Sequence, residues 1–392
     1  MRGLRIAMIG QRGVPATFGG VEHHVEELGA GLSSRGHRVT VFCRTNYAPG
    51  APRFHRGMRV VSLPTVPTKH LDAIVHSALS TTAAMADSFD IIHYHAVGPG
   101  IPAFLPRAFS RAKVVQTIHG LDSERAKWSM LARSVLSAGE WLSARVPDAT
   151  IVVSRSLAHH FAGKYGKRTS YVPNGVTERT RRPAERITER FGLQAGNYVL
   201  FVGRMVPEKA PHLLIRAFKR IPTDMRLVLV GGSSFTDGYV RELREDASAD
   251  SRTIFTGYAY GPLLDELYTN AALFVLPSSL EGLPLTLLEA AAYGTPVLVS
   301  DIPPHLEVVP RPGPGTRIFP TGDEGALVAA LRESLRDVPL EREGAASFRS
   351  EILRSYRWED VVSRTESVYR AILPRSATRP GRPVPVRPPA VS

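Results

Sequence analysis

The sequence contains a single cysteine, Cys43, so no disulfide can close within the chain and a reducing compartment fits. No run approaches the roughly 18–20 apolar residues needed to cross a bilayer. The first apolar stretch, Leu4–Ile9, meets Gln11-Arg12-Gly13 at once. It is too short for a signal-peptide core and reads as a buried strand. A cytoplasmic protein is expected, with any membrane contact peripheral, at the inner face of the plasma membrane. Also missing are the Gly-Lys-Ser/Thr of a P-loop and any Asp-x-Asp motif. No helix-turn-helix, zinc or aromatic-platform signature is present, so nucleic acid is not an expected partner.

What is present describes a globular enzyme-sized chain. Its 392 residues are too many for one hydrophobic core and suit two domains. An apolar fraction of 43% and a charged fraction of 22% exclude global disorder. The formal charge of +13 favours anionic partners: phosphate-bearing substrates, an anionic membrane surface or nucleic acid. Part of it lies in the proline-rich tail from Pro374 to Ser392, which carries Arg375, Arg379, Arg382 and Arg387 and no acid. That tail lacks an apolar period and reads as a disordered extension.

Short apolar runs alternate with helical patterns. Strands are expected at Arg5–Ile9, His37–Cys43, Met58–Leu63, Ile91–Tyr94, Val114–Ile118, Ala149–Val153 and Ser170–Val172. A second series begins at Tyr198–Val202 and continues at Arg226–Val230, Thr253–Phe255, Ala272–Leu276, Pro296–Ser300 and Thr316–Phe319. The pattern is that of two tandem doubly wound α/β domains. We expect a first domain over 1–175, a basic linker over 176–197 and a second domain over 198–355. A last helix over 356–373, part of a helical region running from Ala345 to about Ile372, and the tail over 374–392 follow. Such domains bind ligands outside the carboxyl ends of their strands, which places a cleft between them.

Two segments of the second domain carry chemistry. The strand Tyr198–Val202 leads into Gly203-Arg204-Met205-Val206-Pro207-Glu208-Lys209 and then a helix. Two full positive charges at a helix start suit a pyrophosphate, although a solvated Arg and Lys there are common. Pro277 to Glu289 then places Glu281 in a loop above a strand end and Glu289 inside an apolar helix. A carboxylate in that setting needs a partner, and the neighbouring hydroxyls of a ribose or hexose would serve. An exposed helix glutamate is the plainer alternative for Glu289 alone.

Gly203-Arg204 with Lys209, followed by Glu281 and Glu289, resembles the donor half of retaining GT-B glycosyltransferases of family 4, bacterial type. The resemblance extends over roughly residues 4–372, and Pro173-Asn174-Gly175-Val176 is similar to that family's interdomain crossing. It implies that Arg204 and Lys209 hold a donor diphosphate, that Glu289 holds the ribose, and that Glu281 contacts the transferred sugar. Gly203 and Gly282 join these as donor-binding positions. Ala210 departs from the glycine usual after the lysine, which questions how closely a phosphate can approach there.

In the first domain, Gly10, Gly13, Gly19 and Gly20 make the loop after the first strand permissive. The resemblance implies that Gly19 and Gly20 line the cleft opposite the diphosphate, with Glu22, His23 and His24 facing the acceptor. His119 ends a strand at the carboxyl edge. A loop histidine is ordinarily structural, but the resemblance implies contact with the donor sugar, making His119 a catalytic candidate with Glu281, Arg204 and Lys209. His93 and His95 share one face of a strand, yet no third ligand is near in sequence, so no metal and no cofactor are expected. The stretch Ser123–Val146, with Arg125, Lys127, Arg133, Arg145, Trp128 and Trp141, suits either an anionic membrane surface or the core, with Trp128, Leu131 and Val135 as core positions.

The expected function is transfer of a hexose from a nucleotide-sugar donor to a hydroxyl on a glycan or lipid-linked acceptor, with retention. A nucleotide-sugar epimerase on the same fold and a basic membrane- or nucleic-acid-binding protein are the rival readings.

Overall fold

A computed structural model describes residues 3–17, 19–47, 50, 52–66, 68, 71–121, 130–233 and 236–374. It contains two sheets. The first has eight strands: β1 (Arg5–Ile9), β2 (Arg38–Arg44), β3 (Phe54–His55), β4 (Met58–Leu63), β5 (Ile91–His95), β6 (Lys113–Ile118), β7 (Ala149–Val152) and β8 (Ser170–Tyr171). Their order is β3-β4-β2-β1-β5-β6-β7-β8, parallel except for the β3–β4 hairpin. The second has β9 (Tyr198–Val202), β10 (Arg226–Val230), β11 (Thr253–Gly257), β12 (Leu273–Leu276), β13 (Val297–Ser300) and β14 (Thr316–Phe319). It is parallel throughout, in the order β11-β10-β9-β12-β13-β14.

The second sheet shows why its strands read as continuous apolar runs. Every residue of β9, β12 and β13 is buried, because helices cover both faces of the sheet. In each sheet the winding direction reverses beside the first strand, between β1 and β5 and between β9 and β12. These two reversals open crevices at the carboxyl ends of the strands, where a ligand can enter. The loops leaving β1, β9 and β12, together with His119 at the end of β6, carry the candidate residues. This is the GT-B architecture: two parallel-sheet lobes with their carboxyl edges facing each other.

Three sequence expectations differ from the structure. The segment 176–197 is not a bare connection: it contains the helix Arg186–Phe191, whose Ile187 is fully buried. The buried Glu266 carboxylate accepts from the amides of Glu185 and Ile187, 3.1 Å each, and so fastens this helix to the second lobe. The helical region from Ala345 is interrupted, giving Val338–Ser355 and Trp358–Ile372. The break is tertiary in origin, since the Val176 amide donates to the Tyr356 carbonyl at 2.6 Å and Val176 bridges to Arg357. The hairpin strand β3 was not anticipated, being two residues long. The tail beyond Pro374 and residues 122–129, with Arg125, Lys127 and Trp128, lie outside the described residues, as do the side chains of Leu131, Arg133 and Val135. On the helix Met130–Arg145, Trp141 is exposed.

After the break, the terminal helix Trp358–Ile372 leaves the second lobe and packs on the first. Val362 lies against Gly31 of the helix Gly20–Ser34, and Arg35 reaches Ser363 and Glu366.

Candidate active site

The lobes meet across a cleft of about 460 Å³. Its lining includes Gly19, Gly20 and His119 from the first lobe and Gly203, Arg204, Lys209, Glu281, Gly282 and Glu289 from the second. The nine residues expected at the donor and at the reacting centre are therefore in one place. The lobes touch closely here: a Cβ on Gly282 would lie 1.8 Å from the His119 carbonyl oxygen, so only glycine fits.

The β9 loop makes a tight turn, Pro207–Lys209, ahead of the helix Pro211–Lys219. The amides of Lys209 and Ala210 are already bonded to the carbonyls of Val206 and Pro207. Those two amides are therefore engaged within the turn. Lys209 Nζ donates to Glu281 Oε1 at 2.6 Å, and Ser278 Oγ donates to the same oxygen at 2.8 Å. Burial pushes the Glu281 carboxyl up, but the Lys209 charge and these hydrogen bonds outweigh it and hold it below the ordinary value. Beneath lies His305, fully buried and pushed down to about 4 by burial. Ala210 sits at φ 49°, ψ 40°, a left-handed conformation that an L side chain rarely takes. Its departure from glycine therefore adds backbone strain at this turn.

Glu289 lies on the helix Leu285–Tyr293, in which Leu285, Leu287, Leu288 and Ala290 through Tyr293 are all buried. Its carboxylate is aimed at the cleft by the Tyr268 hydroxyl, which donates to Oε2 at 3.2 Å, and by Arg179, 3.6 Å from Oε1. Arg179 also reaches His23 Nε2 at 3.4 Å and so joins the lobes. Sequence reading placed Arg179 in a solvated linker and missed it. It also missed Tyr258 and Tyr260, whose rings lie 6.2 Å apart and 7° from parallel at the cleft wall. Their position just past the carboxyl end of β11 is the available signal, since that edge is where ligands bind.

The first lobe brings corrections. Of the three residues expected to face the acceptor, only His23 lines the cleft. Glu22 is buried and its carboxylate accepts from the Arg12 amide, 3.1 Å, organising the glycine loop. His24 is buried and bonded through Nδ1 to Asn174 Oδ1 at 2.9 Å. The third imidazole that the sequence did not supply beside His95 is also here. His24, His95 and His119 each offer a ring nitrogen, all within 4.8 Å of one another. His93 is otherwise occupied, by the Tyr369 hydroxyl at Nδ1 and the Thr117 hydroxyl at Nε2. Burial, and then the neighbouring imidazoles, depress all four, to about 4 for His24, to about 3 for His93 and well below the ordinary value for His95 and His119. At neutral pH they are uncharged.

Among the described residues no helix is long and apolar enough to cross a membrane. A family model described as Glycosyltransferase Family 4 matches residues 18–179, and one described as Glycosyl transferases group 1 matches residues 185–347. The chain is 27% identical to a glycogen synthase of Mycobacterium tuberculosis, over 94% of this chain and 95% of that protein. It is 28% identical to the same organism's GDP-mannose-dependent alpha-(1-6)-phosphatidylinositol monomannoside mannosyltransferase, over 91% and 96%. In fold it is similar to sucrose-phosphate synthase from Thermosynechococcus elongatus, with a TM-score of 0.82 at 23% identity, covering 94% of this chain and 99% of that one. HepE of Anabaena, solved in complex with UDP-glucose, superposes with a TM-score of 0.78 at 19% identity, covering 94% and 100%. With one model matching each half of the chain and the fold shared over 94% of it, the chain belongs to the family 4 glycosyltransferases of GT-B fold.

Proposed function

We propose that the chain transfers a hexosyl group from a nucleoside-diphosphate sugar to a hydroxyl of a glycan or lipid-linked acceptor, with retention of anomeric configuration and without a cofactor. The observation that carries this reading is the convergence of Arg204, Lys209, Glu281 and Glu289 on one wall of a cleft whose other wall holds His119. Arg204 and Lys209 take the diphosphate, and Glu289 accepts from the ribose hydroxyls. Glu281, tied to Lys209, accepts from hydroxyls of the transferred sugar, with His119 on its other side. The parallel rings of Tyr258 and Tyr260 offer the nucleobase an aromatic surface.

The bond from the sugar's anomeric carbon to the phosphate oxygen breaks, and a bond to the acceptor oxygen forms on the same face. The acceptor proton passes to the leaving phosphate. Charge builds up on that phosphate, beside Lys209 and Arg204, so the site stabilises the transition state electrostatically. The names of the relatives span more than one nucleotide and acceptor, which supports a donor class rather than one donor. The basic surface and the exposed Trp141 support acceptors met at an anionic membrane, at the cytoplasmic face.

The test is a thermal-shift screen of nucleotide sugars followed by turnover of each stabilising donor with and without acceptor. Stabilisation by at least one donor and product formed only with acceptor are expected. Conversion of the donor alone into an epimer would replace this reading with the epimerase. Salt-sensitive duplex binding without any donor effect would replace it with the nucleic-acid-binding reading.

A further inference from the structure

Behind His119 stands a group of imidazoles that the donor-binding residues do not account for. His95 Nδ1 lies 3.3 Å from His119 Nε2, and the two rings stack with centroids 5.5 Å apart. The His93 ring lies next to that of His95, tilted by 35° with centroids 4.2 Å apart. His93 is itself held at both nitrogens, with Tyr369 of the terminal helix 2.6 Å from Nδ1 and Thr117 2.7 Å from Nε2. His24 closes the third side, its ring edge-on to His119 at 4.6 Å.

The tautomers follow from the partners. The Leu283 carbonyl can only accept, so Asn174 turns its amide N–H to it, at 2.7 Å. Asn174 Oδ1 can then only accept, and His24 carries its proton on Nδ1. His95 is fully buried and its Nε2 has no partner among the described residues. An unpaired buried N–H is rarer than an unpaired acceptor, so the single proton of neutral His95 belongs on Nδ1, where it is donated to His119 Nε2. His119 must therefore carry its own proton on Nδ1. Among the described residues that nitrogen makes no hydrogen bond, and His119 lines the cleft.

We propose that His95 and His24 are positioning residues that hold His119 in one orientation and one tautomer, presenting Nδ1–H to the donor sugar. His95 fixes the tautomer by donating from its Nδ1 to Nε2 of His119, and His24 blocks rotation of the His119 ring. His24 also ties this arrangement to the second lobe, because Asn174 binds the carbonyl of Leu283, two residues past Glu281. The inference rests on the reading of the cleft as a donor-sugar site.

The test pairs two substitutions with a spectroscopic readout. His95→Leu removes the donor to His119, and His95→Asn returns an N–H near the place of Nδ1. With His95→Leu, kcat is expected to fall at least tenfold, while the dissociation constant of the nucleoside diphosphate, held across the cleft, stays within about twofold. His95→Asn should recover most of kcat. In the unsubstituted protein, ¹⁵N-histidine NMR should show His119 protonated at Nδ1, a measurement that needs no variant to fold. Unchanged kcat in His95→Leu, no recovery with Asn, or an Nε2-protonated His119 overturns the proposal. So does a stoichiometric bound metal whose removal by chelator abolishes turnover, since the imidazoles would then be its ligands. His119→Ala separates the two levels: if it turns over normally the cleft reading fails, whereas a fall there with unchanged His95→Leu sinks only this inference.

Discussion

Lys209 and Glu281, seventy-two positions apart, meet at 2.6 Å with only 12% of each side chain exposed. On the proposed roles, the contact to the diphosphate and the contact to the sugar belong to one ion pair. Neither can be removed without altering the other. Lys209→Ala should lower donor kcat/KM by about 10²–10³, the loss typical of one transition-state donor. It should also destabilise the protein by about 3 kcal/mol, because it leaves a mostly buried carboxylate uncompensated. Glu281→Gln should lower turnover with a smaller loss of stability. Steady-state kinetics and denaturant titration of both variants and of the double variant measure the coupling; full activity in either single variant would refute the assigned roles.

Removing the aromatic wall should act on nucleotide affinity and not on chemistry. Tyr258→Ala, or Tyr260→Ala, is expected to weaken nucleoside-diphosphate binding about tenfold, within the range for loss of a base–aromatic stack. Saturating kcat should change little. Calorimetric titration with the nucleoside diphosphate, set beside the same titration with inorganic pyrophosphate, checks this. Pyrophosphate has no base, so its binding should be indifferent to either substitution.

Stability should fall as the solution is acidified through pH 6.5 toward pH 4. His24 and His305 sit near 4 and His93 near 3, against about 6.5 unfolded. In that window the unfolded chain binds more protons than the folded one, so unfolding free energy rises with pH and is lost on acidification. Each group contributes roughly 1 kcal/mol per pH unit inside its window. Melting temperature measured from pH 7.5 to pH 4.5 should drop steeply below pH 6.5. His305→Asn should flatten the curve; a flat profile in the unsubstituted protein would contradict burial of the neutral imidazoles.

Ala210→Gly should stabilise the protein by up to about 1 kcal/mol. The methyl group opposes the left-handed backbone, and the gain from relieving it exceeds the entropy that glycine adds to the unfolded chain. Differential scanning calorimetry would show a melting point raised by a few degrees at most. Donor affinity should be unaltered, since Ala210 is not among the residues that line the cleft.

Much of this was legible in the linear order of residues. In the second lobe the apolar periodicity predicts helices at Ala210–Arg220, Gly238–Ala247, Pro262–Thr269, Pro284–Tyr293 and Glu324–Leu335, and each lies within one residue of an observed helix at either end; the short helix Pro303–Val308 is not predicted. Fully buried parallel strands announce themselves as short apolar runs, and the helices between them carry an apolar stripe. Glu289 stands out as a charge inside an apolar helix, Glu281 as a carboxylate in the loop above a strand end, and Lys209 with Arg204 as positive charge at a helix start. What remained hidden depends on distant partners. Nothing near His24 in sequence shows that it faces Asn174, or near Arg179 that it reaches Glu289. The same holds for His93, whose partner Tyr369 is supplied from the far end of the chain.

The return of the helix Trp358–Ile372 to the first lobe means that the two lobes are not consecutive units of the chain. The polypeptide passes between them twice, near Asn174–Val176 and near Tyr356–Trp358, and the two passages are fastened by the Val176–Arg357 bridge. A chimera meant to exchange acceptor specificity with a relative must therefore be spliced at both passages, carrying residues before Val176 together with those after Arg357. A single-junction swap would set a foreign helix against Gly31 and leave His93 facing whatever residue replaced Tyr369.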